Sequence, residues 1–332
     1  VFPALERRLA FDEGDIHYLA NLCHNCGACL YACQYAPPHE FQVNFPRMLA
    51  EVRKQTYKAY AWPGFLASAF DRNGIVVAIV TALAIALLLA VTAGMTDSQA
   101  FFAAHSDREG SFYAVMPHET MAAIFGAVFL FAVLALAVGA ARFWLGTGES
   151  LADFAAPQPL SSAAWDAAVL RNLDAGARRT FHHLTFYGFM LCFAATSAGT
   201  IYHYVFDIRA PYPLWSLPVM LGTLGGIGLI VGPIGLIRLR HRRDPDLADR
   251  SQAGMDASFT VLLLLLGATG LALLALRETR AMGTLLALHL GVVLAFFVTM
   301  PYGKFVHALY RLAALARFHL ERRRPLPSIG PE

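Results

Sequence analysis

Residues 74–91 read G-I-V-V-A-I-V-T-A-L-A-I-A-L-L-L-A-V, eighteen positions without a charged side chain. As a helix rising about 1.5 Å per residue, this stretch covers about 27 Å, close to the ~30 Å hydrocarbon core of a bilayer. Five more apolar stretches of similar length follow. The candidate spans lie near Gly74–Met95, His118–Phe143, His182–Phe206, Leu214–Ile237, Ala257–Leu276 and Leu285–Val306. Hydrophobic residues make up 57% of the chain and charged residues 15%, which is membrane composition. The net charge of +3 resides mostly in loops and gives no reason to expect nucleic acid. The polar, cysteine-bearing start of the chain has no secretory signal character.

Lysine and arginine set the expected orientation. With a cytoplasmic N-terminus, the inner segments and their membrane edges hold 22 of the 26 basic residues. Only Arg108, Arg209, Arg277 and Arg280 fall outside. An even number of spans then leaves both termini in the cytoplasm, as expected of a multi-pass membrane protein.

Ahead of the first span lies C-H-N-C-G-A-C-L-Y-A-C, with Cys23, Cys26, Cys29 and Cys33 in the spacing C-x2-C-x2-C-x3-C. This is the ligand run of bacterial ferredoxin-type iron–sulfur clusters, here read as [4Fe–4S]. A disulfide pair needs an oxidising compartment. A structural zinc site usually separates two C-x2-C pairs by a longer insert. In two-cluster ferredoxins the fourth cysteine of such a run ligates the other cluster. The fifth cysteine, Cys192, sits in an apolar stretch and reads as a packing residue. Cys33 therefore either completes this cluster or serves a second one whose ligands precede Val1; the latter is the expectation.

Residues 1–73 form the expected iron–sulfur head, 74–310 the membrane domain and 311–332 a basic tail. Within the head, Asp12–Cys23 reads as a short helix. Gln42–Tyr60 reads as an amphipathic helix suited to a membrane surface. Its Arg47, Arg53, Lys54 and Lys58 suit either lipid headgroups or an acidic partner. Ser161–Arg178 reads as a second amphipathic helix. Gly222, Gly226, Gly228 and Gly232 in the fourth span favour close helix approach over nucleotide binding, since no strand precedes them.

Histidine inside a membrane is a functional candidate by default. The third span opens on His182-His183 and closes on His203; the sixth carries His289 and His307. If the sixth span is one helix, its two histidines are 18 residues apart and share a face about 27 Å apart. The two spans run in opposite directions, so His182 matches His307 in depth on the inner side. His203 likewise matches His289 on the outer side. Histidines on facing helices suit bis-imidazole haem iron, and two such pairs would carry electrons across the membrane. One haem on a single pair is the intermediate case. His105 and His118 have no matched partner.

The run L-C-H-N-C-G-A-C-L-Y-A-C-Q-Y-A-P-P-H-E-F, then F-P-R-M-L-A-E-V-R and a histidine-bearing membrane body, resembles the tricarballylate-utilisation (citrate-utilisation) protein B family. The sixth span, with His289, Pro301, Lys304 and His307, also resembles the haem-ligand helix of the respiratory nitrate reductase gamma subunit. The start of the third span, His182 to Gly188-Phe189, resembles related membrane cytochromes. The family resemblance implies an inner-membrane protein with iron–sulfur clusters and b-type haem. Such a protein reoxidises the flavin of a partner tricarballylate dehydrogenase, a flavoprotein, and feeds the quinone pool. Its fold is mainly α: a six-helix transmembrane cytochrome b-like bundle with a small N-terminal ferredoxin-like head. It also implies a second cysteine run upstream. The competing readings are a subunit of a heterodisulfide-reductase-like or nitrate-reductase-like complex, and a structural anchor without haem.

Overall fold

The computed structural model describes residues 11–96, 101–104, 110–154, 156–173 and 176–324. Residues 1–10 of the head, His105 and the end of the basic tail at 325–332 lie outside them. The described residues contain helices, turns and loops but no strand. The head comprises α1 (Glu13–Leu22), the single turn α2 (Ala28–Tyr31) and α3 (Phe45–Ala59). The body comprises α4 (Asn73–Met95), α5 (His118–Gly146), α6 (Pro157–Ala168), α7 (Ala177–Phe206), α8 (Leu217–His241), α9 (Ala253–Leu276), α10 (Met282–Thr299) and α11 (Val306–Glu321). Six of these, α4, α5 and α7 to α10, are long and apolar enough to cross a membrane. The protein is a helical membrane protein with a small helical head.

Helix α10 is the centre of the bundle. Its Ala287, Val292, Ala295 and Phe296 are buried, whereas α4 and α7 leave much of their apolar surface outward. Helices α7 and α8 meet backbone to backbone. A Cβ on Gly228 would sit 2.7 Å from the Leu184 carbonyl, and one on Gly188 would sit 2.9 Å from the Gly228 carbonyl carbon. The glycines of the fourth span thus act as a packing seam, which is how small residues bring membrane helices together.

Three expected elements differ from the structure. The sixth span is not one helix: α10 stops at Thr299, a 3-10 turn covers Met300–Tyr302, and α11 starts at Val306. Pro301 cannot donate to the preceding turn, so the helix breaks there. The common-face argument for His289 and His307 therefore fails. The start of the expected tail is helical: α11 buries Tyr310, Ala314, Leu315 and Ala316. The expected helix over 161–178 ends at Ala168, because Leu170 takes a left-handed φ of 48° and α7 begins only at Ala177.

Head and body are joined by polar contacts. Asp12 caps α1 by accepting from the Asp15 amide at 2.7 Å. Arg317 of α11, 9% exposed, donates to Glu321 at 2.9 Å and to the Thr147 carbonyl at 2.8 Å. It also pairs with Asp15 of α1 at 2.5 Å and lies 4.4 Å above the Tyr18 ring. The loop between α8 and α9 forms a shelf under the head: Asn44 donates to the Asp246 carbonyl at 2.7 Å, and Lys54 to Ser251 Oγ at 2.9 Å. Two other basic residues of α3 are also paired, Arg47 with Glu51 and Lys58 with Asp71. That face serves internal contacts as much as any partner.

Candidate functional site

The cysteine run is a loop closed by one turn of helix. Asn25 and Gly27 have φ of 57° and 85°, the left-handed region. Asparagine and glycine tolerate that region best. Gly27 caps α2, and a Cβ there would meet the Leu247 side chain at 2.9 Å, so the loop sits directly on the α8–α9 shelf. Asn25 Nδ2 donates to the Leu247 carbonyl at 2.9 Å, and the Asn25 amide donates to Cys23 Sγ at 3.3 Å. Amide donors to sulfur are among the features that set an iron–sulfur potential.

Burial, followed by the neighbouring Cys23 and Cys26, pushes the Cys29 thiol above its ordinary range. Among the described residues no three His, Cys, Asp or Glu side chains converge closely enough to hold a metal ion. The fit to a cluster rests on the backbone of the run, its cysteine spacing and the donor to Cys23.

Four arginines, three on helices and one just past a helix end, hold the carbonyls that flank Cys23. Arg53 of α3 donates to Ala20 O at 2.7 Å, and Arg311 of α11 to Leu22 O at 2.9 Å. Arg178 of α7 donates to His24 O at 3.1 Å, and Arg243, just past α8, to Asn25 O at 2.9 Å. Burial pushes Arg311 down to about 10, which still leaves it charged at neutral pH. This concentration of positive charge favours bound thiolates and an anionic cluster.

Two of these arginines are one helical turn from the membrane histidines. Arg178 precedes His182 by four residues and Arg311 follows His307 by four, so each shares a helix face with its histidine. The structure brings His182 and His307 together, with ring centroids 6.3 Å apart and planes at 76°. Two imidazoles so spaced leave room for one metal ion at about 2 Å from a nitrogen of each ring. His307 Nδ1 lies 2.6 Å from the Lys304 carbonyl, which fixes Nδ1 as donor and leaves Nε2 for another partner. His182 Nδ1 is buried without a hydrogen bond. Phe259 lies 6.5 Å from the His307 ring, and Phe305, Phe189 and Phe296 continue the aromatic cluster behind it.

The outer pairing of His203 with His289 is not formed. His203 stacks instead on His118 of α5, with centroids 3.6 Å apart and planes at 21°. Tyr113 Oη lies 3.4 Å from His203 Nδ1. His289 faces α9: its Nδ1 lies 2.9 Å from Thr269 Oγ1, and its ring lies against Gly270. Matched depth fixes a residue's level in the membrane but not the direction it faces. His118, set aside in the sequence for want of a partner, is the true neighbour of His203. Arg178, Arg243 and Arg311 were also missed, although the four-residue steps from Arg178 to His182 and from His307 to Arg311 are visible in the sequence. Cys192 packs beside Gly225, as its apolar setting implied.

These features define a helical membrane protein carrying a ferredoxin-like cysteine head, an arrangement for iron–sulfur electron transfer. A family model described as citrate utilization protein B matches residues 72–328, and one described as the citrate utilization protein B Fer4-like domain matches residues 1–59. The citrate utilization protein B of Escherichia coli is 48% identical over 338 aligned positions, covering 98% of this chain and 87% of that protein. The chain belongs to the citrate utilization protein B family. No solved structure matches it.

Proposed function

We propose that this protein drains electrons from a reduced flavoprotein dehydrogenase of the tricarballylate- or citrate-utilisation type into the quinone pool of a bacterial inner membrane. The observation that carries this reading is the link between the two candidate centres. The helices bearing His182 and His307 each send an arginine, one turn away, to the carbonyls beside Cys23. A redox group at either place would sense the other through the fixed charge of an arginine one helical turn from each histidine.

Cys23, Cys26 and Cys29 would hold the [4Fe–4S] cluster, with Cys33 serving this cluster or a second one. His182 and His307 would hold a b-type haem. Such groups supply one-electron redox chemistry, and the polypeptide sets their spacing and potential. Here the chain's own part is clear. Asn25 shapes the loop and donates to Cys23 Sγ, the arginines offset thiolate charge, and Lys304 O orients His307. The geometry supports one bis-histidine site, because His118 and Thr269 occupy His203 and His289. At the head, Tyr31, Tyr35, Phe41 and Cys29 are all exposed and Tyr35 packs on Phe41, which gives a flavoprotein apolar side chains on which to dock. The excess of basic residues in the head-side loops supports a cytoplasmic head and cytoplasmic termini.

Rapid mixing tests the reading. Photoreduced flavin is expected to bleach the visible absorbance of the purified protein, and decyl-ubiquinone to restore it. Both steps should outpace direct reaction of flavin with quinone. A protein that reduced flavin leaves unbleached refutes the proposal.

A further inference from the structure

On the side of α7 turned away from His307, the structure has a cavity of about 280 Å³ between α7 and α8. Thr180, His183, Leu184, Tyr187, Gly188 and Leu191 line it from α7, and Leu224 and Gly228 from α8. Its α7 residues recur at intervals of three and four, so they form one face of that helix. The cavity opens outward among apolar side chains: Leu224 is 59% exposed and Tyr187 45%. In a membrane span that direction is lipid, not water.

One lining residue, His183, carries a polar atom that is unexplained. His183 Nε2 is buried and has no hydrogen-bond partner. An unpaired buried polar atom is costly, and such atoms normally have a partner. Tyr187 is not that partner. Its hydroxyl donates to the Ala168 carbonyl at 2.9 Å, while its ring lies 5.7 Å from the His183 ring. An apolar recess with few polar groups is the usual form of a small-molecule site. This one sits one residue from His182, so the recess and the histidine pair lie around a single helix about 10–12 Å across.

We propose that this groove binds the headgroup of a lipid-soluble quinone, with His183 Nε2–H donating to a quinone carbonyl. The proposal rests on the electron-transfer function above and names where that path ends. The ligand's chemistry fits the three observations together. A quinone reaches its site through lipid, fills an apolar recess with a flat ring, and offers carbonyl acceptors to a lone donor. Imidazole suits both redox forms, since it donates to a quinone carbonyl in one tautomer and accepts from a quinol hydroxyl in the other. Reduction to quinol takes two electrons, which come from the reduced flavin, and two protons from water on the head side. The narrow gap behind Gly228 serves the helix seam, so variants are best placed at His183 and Leu224.

The test uses the full chain in nanodiscs and an azido-ubiquinone photoprobe, followed by peptide mapping. The expected result is label on residues 180–191 or 224–228, displaced by excess decyl-ubiquinone. His183→Leu should weaken labelling about tenfold. Leu224→Trp, which fills the recess from its lipid side, should abolish labelling while leaving the visible spectrum unchanged. Label elsewhere, label that decyl-ubiquinone does not displace, or full labelling of both variants overturns the groove. Reoxidation of the reduced protein by decyl-ubiquinone separates the two claims. If wild type is not reoxidised, the electron-transfer reading fails with the groove. If wild type and both variants are reoxidised alike, the groove alone fails.

Discussion

Arg317 offers a quantitative test of how the head is fixed to the membrane body. It is 9% exposed and contacts Asp15, Glu149 and Glu321, the Thr147 carbonyl and the Tyr18 ring. Arg317→Met keeps the length and removes the charge. Breaking a buried ion pair costs about 3–5 kcal/mol, because the partner is left buried and uncompensated. Here the lower end applies. Glu149, only 6% exposed, keeps Arg324 at 2.9 Å, and the Asp15 side chain is 28% exposed to water. A loss of about 3 kcal/mol is roughly a 150-fold rise in the open population, at 1.4 kcal/mol per tenfold. Hydrogen exchange reads this directly, since amides of a docked helix exchange through local opening. Protection over Glu13–Leu22 should fall by about two orders of magnitude, while α10 is unchanged. Adding Asp15→Asn removes the carboxylate that Arg317→Met leaves without a cation and should restore part of the protection. A fall under threefold in Arg317→Met, or no rescue by the second change, refutes the reasoning.

The helix seam and the cysteine loop yield the other expectations. Gly228→Ala places a Cβ 2.7 Å from the Leu184 carbonyl and should lower stability in detergent by about 1–3 kcal/mol. Gly222→Ala meets only the Ala195 Cβ at 3.6 Å and should be nearly neutral; equal melting shifts for the two would contradict the packing account. Asn25→Ala loses the bond to the Leu247 carbonyl and a residue suited to its left-handed φ, so iron per chain should drop on purification. Arg311→Gln keeps a donor for Leu22 but removes a charge near Cys23. The cluster potential should become more negative by on the order of 40 mV, about 1 kcal/mol for one electron. Redox titration checks this, and an unchanged midpoint would place the charge too far away to matter.

Much of this was legible in the sequence because lipid and iron–sulfur chemistry both impose simple patterns. The span at 74–91 has no reading other than a membrane helix. The cysteine run is identified by spacing alone. The pairing of His182 with His307 followed from depth and direction, but partly for the wrong reason. It assumed one straight helix from His289 to His307, whereas Pro301 breaks that helix and α11 delivers His307 separately. The pairing of His203 failed because the direction a side chain faces depends on which helices are neighbours, and no periodicity in one chain encodes that. The arginines beside Cys23 were hidden for a similar reason. Each lies far from the loop in sequence, and basic residues near span ends have an ordinary explanation in membrane orientation.

The central claim is that His182 and His307 form the haem site. Optical spectroscopy with haem quantified per chain, on wild type and four histidine-to-alanine variants, tests it most directly. The account predicts one b-type haem per chain, lost in His182→Ala and His307→Ala and kept in His203→Ala and His289→Ala. Wild-type protein without haem, or haem lost only with His203 or His289, would contradict it.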